Sequence, residues 1–375
     1  MIEVTTVFEA DTLGYASTRI PALVMTQRGV LLAFCEARRG NGGDWDPIDI
    51  LMRRSVDGGR TWTAPHTIVG SSSEPTSNST PIVDRNGAVH FLYQQGYNRA
   101  YYLRSDDDGA TWSERREITE TFEAFHTDYP WRVFAPGPGH GLQLRNGRLL
   151  VPVWLSTGGS GERVSGRLPH RPSCVSIIYS DDSGKTWTRG EIVASDSDAV
   201  RNPNETVAVQ LQDGRVMLNV RNESPGNRRA LCFSEDGVTH WSPLQFSESL
   251  FEPICMASMI RFSEEPLDRN RILFCNPDSS TQSTSQEPTK AVRWGARRRE
   301  NLSLKLSYDE GLTWPIQKVL EPGIAGYSDL AVDDKGVIYC LYEGGGRNGN
   351  MFQNTHLSLA HFDLEWLSDG QERPL

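Results

Sequence analysis

Short apolar runs recur along the whole chain, each broken by Gly, Asn, Asp or Pro. They fall at 22–24, 29–35, 48–53, 88–93, 149–154, 175–179, 215–220, 272–274, 302–306 and 337–342. Runs of this length, bounded by turn residues, read as strands. No long pattern of apolar positions at helical spacing stands out, so little helix is expected. Three connections are longer than a turn needs. Residues 156–172 are rich in Gly, Ser and Arg, residues 119–141 are aromatic and rich in Pro and Gly, and residues 276–299 begin with the polar tract PDSSTQSTSQEPT. Long loops on a compact scaffold tend to carry function, so all three are expected on the binding face.

One eight-residue phrase punctuates these runs. It reads SVDGGRTW at Ser55–Trp62, SDDDGATW at Ser105–Trp112, SDDSGKTW at Ser180–Trp187 and SYDEGLTW at Ser307–Trp314, with a worn copy, SEDGVTHW, at Ser234–Trp241. The Asp (57, 107, 182, 309) can accept hydrogen bonds from N–H groups of its own turn. The Gly two residues later can take φ > 0, as a tight connection requires. The Thr-Trp pair is expected to start the next strand and lay a large ring against the sheet. Each copy therefore reads as a turn between two strands, and five copies mean a repeated β-unit. Start-to-start spacings run from 50 to 75 residues. That is enough for a four-stranded blade with the surplus in loops, and a propeller is the expected architecture.

Composition narrows the class. The chain has 375 residues, which a propeller holds as one domain over 1–375. Gly (34), Pro (21) and Trp (10) are abundant, as in a turn-rich all-β protein. A formal net charge of −10 opposes binding to nucleic acid or anionic membranes as a main task. No apolar run approaches the roughly 20 residues needed to span a bilayer. The start, MIEVTTVFEADTLG, lacks the basic and apolar regions of a secretory signal, so a cytoplasmic location is expected if the chain is complete. The six cysteines (35, 174, 232, 255, 275, 340) sit mostly in apolar stretches and read as buried reduced thiols. Neither Cys-x-x-Cys nor His-Glu-x-x-His occurs, so no metal or other cofactor is expected.

The repeated phrase resembles the Asp box of the sialidase (neuraminidase) superfamily, where it is structural. The resemblance implies a six-bladed β-propeller and says nothing by itself about chemistry. Other residues extend it. Thr18-Arg19-Ile20-Pro21 is similar to the family's Arg-Ile-Pro motif, with Thr18 where an aromatic is usual. Arg221, closing MLNVR, and Arg299, in Arg-Glu-Asn-Leu, match the two further arginines that bind the substrate carboxylate with Arg19. Arg293, Arg297 and Arg298 stand close to Arg299, and a solvated basic loop is the bland reading of that cluster. Three guanidiniums on one carboxylate supply planar, charge-assisted hydrogen bonds, and only a fold that gathers remote segments at one mouth can bring them together.

Tyr327 in Gly-Tyr-Ser-Asp-Leu resembles the segment carrying the sialidase nucleophile, and Glu205 matches the Glu that takes its proton. A phenol is a poor nucleophile without a base. It nevertheless suits a reacting carbon that already bears a carboxylate, which would repel a second one. Asp44, in Gly-Gly-Asp-Trp-Asp, matches the acid/base, ahead of Asp46 and of Asp49, which alternates within a strand run. As an acid Asp44 needs a raised pKa. Arg38 matches an Arg near the substrate's C4 side, and Glu343 a Glu that orients the first Arg. FAPGPGHGLQL resembles a family turn and is no phosphate loop. The chain departs from many sialidases at Val151–Ser156 and at Cys255-Met256-Ala257-Ser258, positions that choose among substrates.

The resemblance thus implies an exo-α-sialidase acting on sialylated glycans or oligosaccharides, with a Tyr nucleophile, a Glu base, an Asp acid/base and retained configuration. Two rivals share parts of the pattern. One is the same machinery on another 2-keto acid glycoside such as KDN. The other is a non-catalytic sugar-binding propeller, which would need only the arginines. A serine hydrolase finds no support, as no Gly-x-Ser-x-Gly is present.

Overall fold

The computed structural model describes residues 2–70, 74–160, 167–280 and 297–372, and within them the chain is all-β and propeller-like. The first sheet pairs Ser17–Met25, Leu31–Arg38, Ile48–Ser55 and His66–Val69 antiparallel in chain order. Thr76–Val83, Val89–Gln95, Arg99–Ser105 and Arg116–Glu117 repeat that plan, as do Thr206–Gln210, Val216–Val220, Arg228–Ser234 and Gln245–Phe251. Between these two lies a six-stranded sheet built around Leu149–Ser160 and Arg171–Ser180. The last sheet has seven strands, and its seventeen-residue strand Ile316–Val332 is shared. Up to Ile324 this strand pairs with Glu300–Ser307, and from Ala325 onward with Ile338–Gly344. Glu3–Glu9 pairs with His356–Phe362, so the two ends of the chain close one sheet.

Strand Leu31–Arg38 shows why its first five residues are apolar without a break. Alternate side chains leave a strand on opposite faces. Leu31, Ala33, Cys35 and Ala37 enter a core shared with the last sheet, which supplies Tyr339, Leu341, Leu357 and Leu359. Leu32 and Phe34 enter a different core, shared with Phe91, Tyr93 and Leu103 of the second sheet. A sheet sandwiched between two neighbours must be apolar on both faces, and each fully buried Leu or Phe contributes roughly 1.5–3 kcal/mol.

Every box occupies the same place, joining the third strand of its unit to the fourth. In the first, Asp57 Oδ1 accepts from Thr61 N at 2.9 Å and from the Ser55 hydroxyl at 2.8 Å, while Oδ2 accepts from the Thr61 hydroxyl at 2.6 Å. Asp107, Asp182 and Asp309 repeat these contacts. The Thr61 hydroxyl and N–H and the Ser55 hydroxyl hold the Asp57 carboxyl down at about 2. Gly59, Gly109, Gly184 and Gly311 all have positive φ. The tryptophans pack on the inter-sheet cores. One expectation needs correcting: Thr61-Trp62 does not start the next strand, which begins only at His66. The Thr is consumed in capping the Asp, so the ladder resumes later.

All six cysteines are buried free thiols. Residues 119–141 are not a binding loop, contrary to expectation. They form Thr119–Glu123, Ala124–Thr127 and Val133–Pro136, and Phe122, Phe125, Trp131 and Phe134 are buried in a core. The aromatic content served packing rather than recognition. Among the described residues no helix is long and apolar enough to cross a membrane.

Candidate active site

Strand register separates the boxes from the site. At one end of Leu31–Arg38, Leu31 faces Ser55, the first residue of a box; at the other, Arg38 faces Ser17 and Ile48. The opposite end from the boxes holds a cavity of about 270 Å³. Arg19, Arg38, Asp44, Glu205, Arg221, Arg299 and Tyr327 all line it. It opens beside a wider chamber of about 1060 Å³ walled by the Gly40–Asp46 turn, Arg167–Arg171 and Asn350–Asn354.

Tyr327 sits at the centre of the arginines. Its ring centroid lies 5.4 Å from the Arg19 Cζ, 6.0 Å from that of Arg221 and 5.2 Å from that of Arg299. Its hydroxyl donates to the Glu205 carboxylate at 2.6 and 2.7 Å and accepts from Arg221 Nη1 at 2.7 Å. Arg221 Nη1 also donates to Glu205. Burial pushes the Tyr327 phenol far up, Arg221 opposes this, and the negative charge of Glu205 adds to the rise. The resting phenol is therefore protonated, and only transfer of its proton to Glu205 could make it nucleophilic.

The backbone around these groups is bent to aim them. A bulge interrupts Ser17–Met25 after Arg19, and Ile20 adopts φ +56°, a strained conformation for a β-branched residue. Fully buried Glu343 holds it. Its carboxylate accepts from Arg19 Nε at 3.1 Å and Nη2 at 3.3 Å, from Ile20 N at 3.0 Å and from Tyr327 N at 3.0 Å. Burial raises the Glu343 carboxyl, but Arg19 and the two N–H groups outweigh it and leave the carboxyl below its ordinary value. Ile254 repeats the device with φ +57°, and its carbonyl accepts from Arg299 Nη2 at 2.6 Å.

Of the basic cluster, Arg299 reaches the cavity. Arg297 is spent on Asn227 and the Ser224 carbonyl, and Arg298 pairs with Glu300. Arg293 lies outside the described residues, as do 281–296 of the third long connection and 161–166 of the first.

Asp44 stands on the turn after Leu31–Arg38, half-exposed, and accepts from Arg38 Nη1 at 2.7 Å. Asp46 instead staples its own loop, accepting from Asn41 N and Gly43 N. Asp49 is buried under Tyr15 and Arg39, at 2.6 and 2.7 Å. The raised pKa expected for an acid is not found. Desolvation lifts the Asp44 carboxyl, but Arg38, His170 and Arg19 pull it well below the usual carboxylate range. The direct hydrogen bond from Arg38, with the charge of Arg19 behind it, explains the sign.

Further residues line the cavity, among them Trp154 of the substrate-choosing stretch Val151–Ser156 and His170 and Arg171 of the connection 156–172 expected on the binding face. Trp45, Tyr97, Trp154 and His170 form an aromatic wall, with His170 4.5 Å from the Tyr97 ring and 5.1 Å from that of Trp154. The Arg171–Glu223 ion pair and Phe352 also line the space. Tyr97, Glu223 and Phe352 come from unconnected segments, carry no motif and were not anticipated. Glu36 was missed as well, although a signal existed: it lies two residues before Arg38 in one strand, hence on the same face.

Residues 29–340 match the family described as BNR repeat-like domain. A sialidase from Micromonospora viridifaciens is 32% identical over 94% of this chain, which spans 52% of that protein's length. A sialidase from Bacteroides fragilis is 28% identical over 88% of this chain and 60% of its own. Human sialidase-3 is 28% identical, covering 87% of this chain and 85% of its own. Among solved structures, a Hadza microbial sialidase superposes with a TM-score of 0.77 at 25% identity, over 97% of this chain and 69% of that one. A leech intramolecular trans-sialidase has a TM-score of 0.72 at 16% identity, over 97% and 70%, and shares the fold. With the family match running over most of its length, the chain belongs to the BNR repeat-like domain family.

Proposed function

We propose that this chain is a glycoside hydrolase, a retaining exo-α-sialidase built as a six-bladed propeller. The blade count rests on the shared strand: splitting the seven-stranded sheet where Ile316–Val332 changes partners yields two units of four strands. The observation that carries the activity is the Tyr327–Glu205 hydrogen bond inside a ring of three guanidiniums. A catalytically silent binder has no use for a base on that phenol.

Arg19, Arg221 and Arg299 receive the substrate carboxylate, with Glu343 fixing Arg19. Arg38 meets the ring's C4 side. Tyr327 passes its proton to Glu205 and attacks the anomeric carbon as Asp44 protonates the departing oxygen. Water, deprotonated by Asp44, then releases the sugar with its configuration retained. Binding itself prepares the acid. The substrate carboxylate offsets the charge of Arg19, and the sugar displaces water, so the pull on Asp44 weakens while its desolvation grows. The substrate is a terminal sialic acid on a glycan or oligosaccharide.

Tyr327→Phe should fold normally and release an aryl sialoside at least ~10²-fold more slowly, the low end of what an activated group supplies. Full turnover by that variant would exclude Tyr327 as the nucleophile. Product NMR on the unaltered protein should show retained configuration at the first-formed hemiketal.

A further inference from the structure

Behind Asp44 stands a carboxylate with no part in the chemistry just described. Glu36 is 1% exposed. It accepts from Arg38 Nη2 at 2.6 Å and Nε at 3.0 Å through Oε2, and from Asn78 N at 2.9 Å through Oε1. Asn78 has φ +61° at a bulge of the neighbouring sheet's innermost strand. Glu36 therefore clamps one edge of the Arg38 guanidinium and ties it to a second sheet. The remaining Nη1 donates to Asp44 at 2.7 Å and to the Gly42 carbonyl at 3.1 Å, so one donor holds both the acid and its turn. Asp46 staples the same turn from within, accepting from Asn41 N and Gly43 N, while among the described residues Arg38 alone ties Asp44 to the strand behind it.

We infer that Glu36 is a positioning residue for proton donation, acting on Asp44 through Arg38. It orients the guanidinium and offsets its charge. A neutral group at 36 would leave the full cation against Asp44, which lowers the carboxyl further and makes it harder to protonate. This assignment rests on the sialidase reading above.

The test compares two substrates on the same protein sample. An aryl sialoside with an acidic phenol departs without a proton; 3′-sialyllactose must be protonated to depart. Glu36→Gln keeps the size and removes the charge. It should cut kcat/KM on sialyllactose about 10-fold or more while changing the aryl sialoside only about 2-fold, a loss within the share that general acid catalysis supplies. The basic limb of its pH profile on sialyllactose should move to lower pH, since the acid must be protonated to act. Glu36→Asp, which keeps the charge, should restore the limb toward its original position. The ratio between substrates does not depend on how much protein is folded. Equal losses on both substrates, with an unmoved limb, would overturn the assignment and leave the sialidase reading standing. Inactivity of the unaltered protein on both would sink that reading, and this assignment with it.

Discussion

Glu343→Ala offers the sharpest test of how the site is held. The carboxylate is fully buried and accepts four hydrogen bonds, two from Arg19 and one each from the N–H groups of Ile20 and Tyr327. Removing one partner of a buried ion pair costs about 3–5 kcal/mol, because the other charge is left uncompensated. Each orphaned N–H adds roughly 1–3 kcal/mol where no water can replace the lost acceptor. Relaxation offsets part of this. Ile20, held at φ +56°, can drop back to an ordinary conformation and recover some of the ~1–3 kcal/mol of strain typical of such positions. The net loss should still be at least ~3 kcal/mol, read as a lower melting temperature by circular dichroism. That relaxation swings Arg19 away, so KM should rise more than kcat falls. Glu343→Gln keeps one acceptor oxygen and should fall between. The acid limb gives a second readout. The folded pKa of Glu343 lies below its unfolded value of about 4.3, so its contribution is complete above that pH and disappears as pH falls through the folded value. The Gln variant should lose this part of the acid dependence. A Glu343→Ala protein that melts with the parent and binds with an unchanged KM would refute the reasoning.

Three further outcomes follow from named contacts. Gly59→Ala should lower the melting temperature well beyond Gly147→Ala: both have positive φ, but a Cβ at Gly59 would stand 2.3 Å from Leu359 Cδ2, whereas nothing lies within 4 Å at Gly147. Equal melting temperatures would show that the close approach of Leu359 to Gly59 leaves room for a Cβ. Asp44→Asn should lose at least ~10²-fold on sialyllactose and much less on an activated aryl sialoside, measured by product release; equal losses would point to a binding role. In the unaltered protein, the basic limb of kcat should lie at higher pH than that of kcat/KM, because Arg38 and Arg19 hold the Asp44 carboxyl down in the free enzyme and bound substrate lets it rise. Coincident limbs would contradict that account of the acid.

Much of the scaffold was written locally. Ser-x-Asp-x-Gly-x-Thr-Trp encodes its own turn, since donors, acceptor and the positive-φ glycine all lie within eight residues, and the structure builds it the same way each time. The apolar run at 29–35 likewise announced a strand, which the structure forms as Leu31–Arg38. Loops were read less well. The aromatic stretch at 119–141 looked like a recognition surface and proved to be core, because composition alone does not say which face an aromatic ring will find.

The chemical groups Arg19, Asp44, Glu205, Arg221, Arg299 and Tyr327 could be picked from the chain by their motifs. Their meeting could not, because Tyr327 and Glu205 are separated by 122 residues and Arg19 and Glu343 by 324. Nor could the sign of the Asp44 shift, the aromatic wall around His170 or the clamp of Glu36 on Arg38 be read in advance. The physical reason is one of range. A turn closes with partners a few residues away, so its instructions fit in one phrase of sequence. A pKa or a pocket wall depends on charges and rings within a few ångströms in space, and only the closing of the sheets around a common mouth decides which those are.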